Sequence, residues 1–229
     1  ALARLREAAL AHEVHATDRE VEEDCLLRFL RAREGRHDAA LAMWARWVAW
    51  IREYDPENIR EEDIAGERRS GKAVWHGYDR ARRPCLLIRS RFHDPRNRDI
   101  DEMVRFGLRI VAEGVAMADE AGSGTLTIIL ERKGFGWSNV DFALISFLKN
   151  ISTITQDYYA ERLSKLIVLN ASALYFTLYA MAKPFIAEKT RAKLLLLSSY
   201  SALLEHIEEA ELHPELQEAL ARERADAAR

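Results

Sequence analysis

The stretch LIVLNASALYFTLYAMA, residues 166–182, decides the fold, because it is the longest run of the chain without a charged residue. Its 17 residues fall short of the roughly 20 that a helix needs to span a bilayer, and Asn170, Ser172 and Thr177 interrupt it. Residues 166–169 are all Leu, Ile or Val, which is typical of a fully buried strand. We therefore predict a strand over 166–169, a turn, and a helix over 172–182.

Apolar strands and amphipathic helices alternate on both sides of this stretch. Such alternation favours a parallel or mixed sheet with crossover helices, preceded here by a helical first third. The other predicted elements are helices over 18–34, 38–54, 98–119, 138–154 and 199–209, two short strands within 72–89, and strands over 125–130 and 194–197.

Composition narrows the class of protein. A chain of 229 residues with 48% hydrophobic and 31% charged residues indicates a soluble globular protein of one α/β domain, or a helical domain fused to one. The net charge of −3 argues against a nucleic-acid partner. Cys25 and Cys85 lie far apart, and the first residues lack a signal-peptide layout, so we expect a reduced, cytoplasmic location.

A search for catalytic and metal-binding motifs finds none that fits. The segment EAGSG, residues 120–124, precedes a strand, whereas a phosphate-binding loop follows one, so we interpret it as a helix stop. The pair His12 and His15 lacks a third metal ligand at a suitable spacing, so it is interpreted as a solvated pair. We expect no catalytic residue, no metal site and no cofactor.

The helix over 172–182 is unusual because apolar residues surround it almost completely. A surface helix would carry a polar face, so this one is either fully buried or turns one side toward something apolar that is not protein. Pro184 then ends the helix, which makes the following turn a natural hinge.

Five segments, taken together, resemble the CRAL-TRIO family, the lipid-binding fold of phosphatidylinositol transfer proteins. Each is weak alone, but they occur in the family's order and spacing over roughly residues 18–205. The segments are LLRFLRAREGRHDAALAMWARWVAWIREY (26–54), GYDRARRPCLLIR (77–89), TIILERKGFGW (127–137), TQDYYAERLSKLIVLNAS (155–172) and KPFIAEKTRAKLLLL (183–197).

The resemblance implies an α/β fold in which a helical N-terminal module packs beside a mixed, largely parallel β-sheet. Flanking helices and the sheet would enclose an apolar lipid cavity, closed by a mobile gate helix. We expect an N-terminal helical module over 1–68, a lipid-binding domain over 69–205, and an acidic helical or disordered tail over 206–229.

The resemblance also implies two sets of ligand-binding residues. Matched by motif, the phosphoinositol headgroup would bind Arg33, Glu161, Thr190 and Lys193. The apolar pocket and gate would be formed by Leu126, Ile128, Leu174, Tyr175, Phe176, Leu178, Met181 and Phe185. Relatives that also take phosphatidylcholine carry small hydroxyl residues where this chain has Leu126 and Ile128, which favours a more hydrophobic second ligand such as a sterol.

The function implied is extraction and exchange of phosphatidylinositol by a monomer that touches membranes transiently and catalyses no reaction. Two alternatives stay open. One is a carrier of a non-phospholipid ligand of the sterol, retinoid, tocopherol or squalene type. The other is a lipid-sensing targeting module of a larger protein.

Overall fold

The computed structural model describes residues 1–14 and 17–229, so His15 of the histidine pair lies outside the described residues. Helices and strands follow one another along the whole chain. They are α1 Leu2–Leu10, α2 Glu23–Ala32, α3 His37–Tyr54, α4 Ala65–Arg69, β1 Ala73–Tyr78, β2 Pro84–Arg89, α5 Ile100–Glu120, β3 Leu126–Glu131, α6 Phe142–Tyr158, β4 Leu163–Leu169, α7 Ala173–Ala182, α8 Glu188–Arg191, β5 Leu194–Leu197 and α9 Pro214–Ala227.

The five strands form one sheet in the order in which they occur in the chain. Strand β1 runs antiparallel to β2, while β2 to β5 are mutually parallel. Parallel neighbouring strands need crossover connections. When each right-handed crossover leads to the next strand on the same side, as from β2 to β5, the connecting helices all lie on one face of the sheet. The predicted mixed, largely parallel sheet is therefore confirmed, with α5 to α8 connecting its parallel strands.

The face of the sheet covered by α5 is called the front face here. Trp75 of β1 and Leu86 of β2 pack with Phe106 and Ile110 of α5 in one cluster. The Trp75 indole Nε1 donates to the Ile110 carbonyl at 3.0 Å, which fixes the helix against the first strands. The residues of this cluster lie in β1 to β3, in α5 and in the segment before β1, so α5 covers the β1–β3 half of this face.

The opposite, back face is covered by the C-terminal part of the chain. Leu203, Ile207 and Leu212 pack with Leu216 and Leu220 of α9 against inward-facing residues of β2, β3 and β4. All five side chains are buried. The segment expected to be a helical or disordered tail is thus helical over Pro214–Ala227 and completes the core. The proposed division of the chain at residues 68/69 and 205/206 stays a prediction.

The first three helices form a separate hydrophobic cluster around Leu26 and Trp44. The Trp44 indole Nε1 donates to the Glu20 carbonyl at 2.9 Å. Trp50 of α3 joins this module to the rest of the protein, because it stacks on Tyr158 at 4.5 Å between ring centroids and meets Tyr159 edge-on at 5.8 Å. Stacked aromatic pairs add to the burial that holds the two parts together.

Three predicted helices differ from the structure. The segment 199–209 is not an α-helix but two 3₁₀ turns, Ser201–Glu205 and Glu209–Glu211, because Ile207 forms a β-bridge with Asp79. The helix predicted over 138–154 runs instead from Phe142 to Tyr158, because the Asp141 carboxylate caps it by accepting from Leu144 N at 2.9 Å. The helix predicted over 18–34 begins with a 3₁₀ turn, and its α-helical part is Glu23–Ala32.

Candidate functional site

Glu161 and Lys193 meet at the amino ends of two neighbouring parallel strands. Glu161 lies just before β4, and Lys193 directly precedes β5. The backbone bond from Leu166 N to Lys193 O at 2.9 Å holds the strands in this register. The Lys193 Nζ lies 3.8 Å from Glu161 Oε2 and donates to the Leu163 carbonyl at 2.6 Å. Both side chains keep more than a quarter of their surface exposed, so the pair is accessible.

Glu161 also occupies a strained backbone conformation, with φ of 59°. Non-glycine residues rarely adopt the left-handed region, and such strain is common where a side chain must point in a particular direction. Here the conformation turns the chain out of α6 and into β4, and it directs the carboxylate toward the lysines that precede β5.

Lys189, which the sequence motifs did not predict, joins Glu161 and Lys193. Its Nζ lies 3.9 Å from Glu161 Oε1 and donates to the Arg31 carbonyl at 3.2 Å. Lys189 therefore brings the C-terminal end of α2 beside the amino ends of β4 and β5. The one feature of the sequence that could have indicated this role is the position of Lys189, one residue before Thr190 and four before Lys193. We call Glu161, Lys189 and Lys193 the ionic cluster.

The other two predicted headgroup residues border the ionic cluster but do not join its ion pairs. Thr190 lies in α8, and its carbonyl accepts from Lys193 N at 3.1 Å. Arg33 follows the last residue of α2, two positions after the Arg31 carbonyl that Lys189 binds. Both side chains are half-buried. Within residues 1–14 and 17–229, the Arg33 guanidinium forms no salt bridge. The predicted role of all four residues in headgroup binding stays a prediction.

The predicted apolar set divides between the sheet and α7. Leu126 is buried, and Ile128 is half-buried on the front face beside α5. In α7, Leu174 and Tyr175 are buried and Leu178 is half-buried. Phe176, Met181 and Phe185 are each about half exposed. Helix α7 is thus held at its N-terminal end and presents apolar side chains to solvent along the rest.

Further large apolar side chains are exposed on and beside α6. Trp137 in the turn before this helix and Phe142 at its first position are strongly exposed, the latter at 89%. The side of α6 reaches the turn after α7, where Gln156 Nε2 donates to the Phe185 carbonyl at 3.1 Å and Lys149 Nζ lies 4.7 Å from the Phe185 ring. Aromatic rings beside lysines are suited to the boundary between lipid headgroups and acyl chains.

A groove of about 760 Å³ lies between the N-terminal helices and α5, and Glu161 and Arg31 form part of its wall. Charged residues line much of it, among them Arg28, Asp119 and Arg162. Arg162 forms a bidentate ion pair with Asp119, with one contact at 2.8 Å. Because of these charges the groove is not the predicted apolar cavity, which stays a prediction, as does the movement of α7.

Within residues 1–14 and 17–229, no group of three or more His, Cys, Asp or Glu side chains is arranged to hold a metal ion. None of the helices there has both the length and the hydropathy to cross a bilayer.

Comparison with known proteins identifies the class. Residues 68–217 match the CRAL/TRIO domain, and residues 5–46 match the CRAL/TRIO N-terminal domain. The chain therefore belongs to the CRAL/TRIO family, as the resemblance predicted.

Particular relatives are similar at low identity. The phosphatidylinositol transfer protein CSR1 of Eremothecium gossypii is 26% identical over 206 residues, which cover 85% of this chain and 46% of that protein. The phosphatidylinositol transfer protein PDR17 of Saccharomyces cerevisiae is 24% identical over 223 residues, 89% of this chain and 61% of that protein. The crystal structure of Sfh5 shares the fold, with a TM-score of 0.72 at 16% identity over 89% of this chain and 81% of Sfh5. The chain thus spans about half the length of the two transfer proteins.

Proposed function

We propose that this chain extracts phosphatidylinositol from membranes and exchanges it between them, with the headgroup bound at the ionic cluster, Thr190 and Arg33. The observation that carries the proposal is the pairing of Glu161 with Lys189 and Lys193 at an accessible edge of the sheet. Two relatives that bear the name phosphatidylinositol transfer protein support it.

The chemistry of the cluster fits a phosphoinositol group. Lysine and arginine cations bind phosphate through charge-assisted hydrogen bonds, and the Glu161 carboxylate can accept from inositol hydroxyls. At 3.8 and 3.9 Å, the two contacts of Glu161 are longer than the 2.7–2.9 Å that is typical of a tight ion pair. A headgroup can therefore separate these side chains at small cost.

The acyl chains need an apolar path, because each methylene that enters water costs about 0.8 kcal/mol. Some thirty methylenes in a diacyl lipid amount to roughly 25 kcal/mol. In our proposal the front face beyond α5 and the apolar side of α7 supply this path. The exposed rings of Trp137, Phe142 and Phe176 contact the bilayer while α7 moves about the turn at Pro184.

We propose that the second ligand is more hydrophobic than phosphatidylcholine, such as a sterol. The observation that favours it is the apolar front of β3, where Leu126 and Ile128 offer no hydroxyl group. The same observation supports the alternative of a carrier for a non-phospholipid ligand. We further propose a cytoplasmic monomer that associates with membranes peripherally and requires no cofactor.

A transfer assay between vesicles tests the headgroup assignment. Donor vesicles of phosphatidylcholine carry labelled phosphatidylinositol, and the rate of its movement to acceptor vesicles is measured for wild type, Lys193→Ala and Lys165→Ala. Lys165 is the matched control because it is a lysine of β4 near the cluster that faces the other side of the sheet, with Nζ 3.3 Å from His206 Nδ1. We expect Lys193→Ala to slow transfer about tenfold or more, the value of one charge-assisted hydrogen bond, and Lys165→Ala to leave it unchanged.

Lipid extraction and mass spectrometry distinguish the two candidate functions. The protein is incubated with vesicles of mixed eukaryotic lipids, re-isolated and extracted. Phosphatidylinositol enriched on wild type and lost from Lys193→Ala supports the proposal. An apolar metabolite on both proteins, with no phosphoinositide on either, would make Glu161 and Lys193 a structural pair and favour the carrier.

A further inference from the structure

Arg132 lies at the opposite end of the sheet from the ionic cluster. It directly follows β3, and its backbone N still donates to the Leu169 carbonyl at 3.1 Å, so it continues the strand. Side chains alternate along a strand. Glu131 turns to the back face, where it accepts from Tyr200 and Asn170, so Arg132 points to the front face. There it donates to the Ser90 hydroxyl at 2.9 Å.

The guanidinium of Arg132 is buried without a counter-ion. The residue is only 8% exposed, and no carboxylate in the described parts of the chain lies within 4.0 Å of it. Its Nε is buried and has no hydrogen-bond acceptor. The ring of Phe135 lies 3.6 Å from the guanidinium carbon, and the ring of Tyr175 in α7 lies 5.6 Å away. Burial lowers the pKa of Arg132 to about 10, so the group is still a cation at neutral pH.

The neighbouring rings compensate the charge only in part. An aromatic face attracts a cation, but it accepts no hydrogen bond from the edge of the guanidinium. A buried cation that has no counter-ion, and whose buried Nε has no acceptor, is unfavourable, and proteins usually keep such groups paired or bound to a ligand. An anionic acceptor beside Nε would satisfy the group.

We propose that Arg132 and Ser90 bind the carboxylate of a long-chain fatty acid whose hydrocarbon chain lies on the front face. A carboxylate carries one charge and two oxygens, which matches one guanidinium fork plus one hydroxyl donor. A phosphate monoester would bring nearly two charges to a single cation and leave the excess buried. The front face from Leu130 to Ile128 and across to Leu166 is apolar, as a hydrocarbon chain requires.

This inference rests on the proposed function in one respect, namely that the front face holds lipid. The two polar sites are nonetheless separate, because the ionic cluster is at the amino ends of β4 and β5 and Arg132 is at the carboxyl end of β3. The length of a six-residue strand, about 20 Å, lies between them. The fatty acid would thus be a second ligand with its own charged anchor.

Equilibrium dialysis tests the site. Radiolabelled oleate, oleyl alcohol and oleoyl lysophosphatidate, each below its aggregation limit, are dialysed against delipidated wild type, Arg132→Leu, Arg132→Gln and Arg96→Leu. The Arg96→Leu control makes the same substitution at a side chain that is 88% exposed and pairs with Asp94. Thermal unfolding shows whether each variant is folded, and the Gln variant keeps the site testable if Leu is not tolerated.

We expect wild type and Arg96→Leu to prefer oleate over oleyl alcohol by about tenfold to a hundredfold, the effect of one hydrogen-bonded ion pair. Both Arg132 variants should lose that preference and still bind the alcohol. Equal binding of oleate and alcohol by wild type, or a preference that survives in the Arg132 variants, overturns the proposal. Tighter binding of lysophosphatidate than oleate overturns the carboxylate assignment. Phosphatidylinositol transfer is measured on the same wild-type sample, so failure of the proposed function is seen independently.

Discussion

Replacing Gly114 by Ala tests how α5 is fitted to the sheet. A Cβ at Gly114 would overlap Cζ2 and Cη2 of Trp75 and lie 2.9 Å from its Cε2. The indole cannot simply rotate away, because its Nε1 donates to the Ile110 carbonyl one turn earlier in the helix. The substitution should therefore separate α5 from β1 or break this hydrogen bond.

The expected loss of stability is the balance of three effects. Overpacking costs about 1–3 kcal/mol, and a lost hydrogen bond costs about 0.5–1.5 kcal/mol. The change from Gly to Ala within a helix returns about 1 kcal/mol. The free energy of unfolding should therefore fall by about 2 kcal/mol, with a Tm lower by about 4–8 °C for a chain of this size.

Chemical denaturation monitored by circular dichroism measures the effect in a double-mutant cycle with Trp75→Leu. In the Trp75→Leu background the overlapping atoms are absent, so Gly114→Ala should be neutral or stabilising. A neutral or stabilising effect with Trp75 present would refute the reasoning. So would an equal loss in both backgrounds, because the indole would then not be its cause.

Three further predictions concern the cores and the titrating groups. Burial, together with cationic neighbours, lowers the pKa of His93 from 6.5 to about 4. Between these two pH values the unfolded chain binds more protons than the folded protein. The free energy of unfolding, measured by urea denaturation, should therefore fall by about 2 kcal/mol from pH 7 to pH 5. Burial raises the pKa of Cys25 to about 11 and of Cys85 to about 12, so neither thiol should react with a disulfide reagent at pH 8 until the protein unfolds. Leu216→Ala in α9, at a side chain only 1% exposed, should lower the free energy of unfolding by about 2–5 kcal/mol.

Each of these outcomes has a clear contrary. A His93→Gln variant that loses as much stability at pH 5 as wild type would assign the pH dependence to other groups. Rapid labelling of either thiol in the folded protein would show that its surroundings open readily. A Leu216→Ala variant as stable as wild type would mean that α9 is not part of the core.

Periodicity and composition were sufficient to predict most of the fold. The strand over 166–169 lies within β4, the strand over 194–197 is β5, and the helix over 172–182 is α7. The two strand predictions succeeded because the strands of a parallel sheet are short and continuously apolar, although β5 itself is only partly buried. The helix over 199–209 failed because Leu203 and Ile207 have helical spacing, yet their partners are strands far away in sequence. Tertiary packing overrode the local pattern.

The candidate site also contains residues that the sequence predicted and one that only the structure revealed. Glu161 and Lys193 could be proposed from their motifs, and the structure places them together because β4 and β5 are parallel neighbours. Lys189 was missed because its partners, Glu161 and the Arg31 carbonyl, belong to segments that only folding brings close.

By itself the sequence determined the family, the order of the five strands, and the residue types available for a phosphoinositol group, since these depend on local pattern and motif. Only the tertiary structure decided that residues 203–220 cover the back face and that the Arg132 guanidinium is buried without a carboxylate. The physical reason is that burial and charge pairing depend on which distant segments meet. In the sequence Arg132 stands beside Glu131, but the strand turns the two side chains to opposite faces of the sheet.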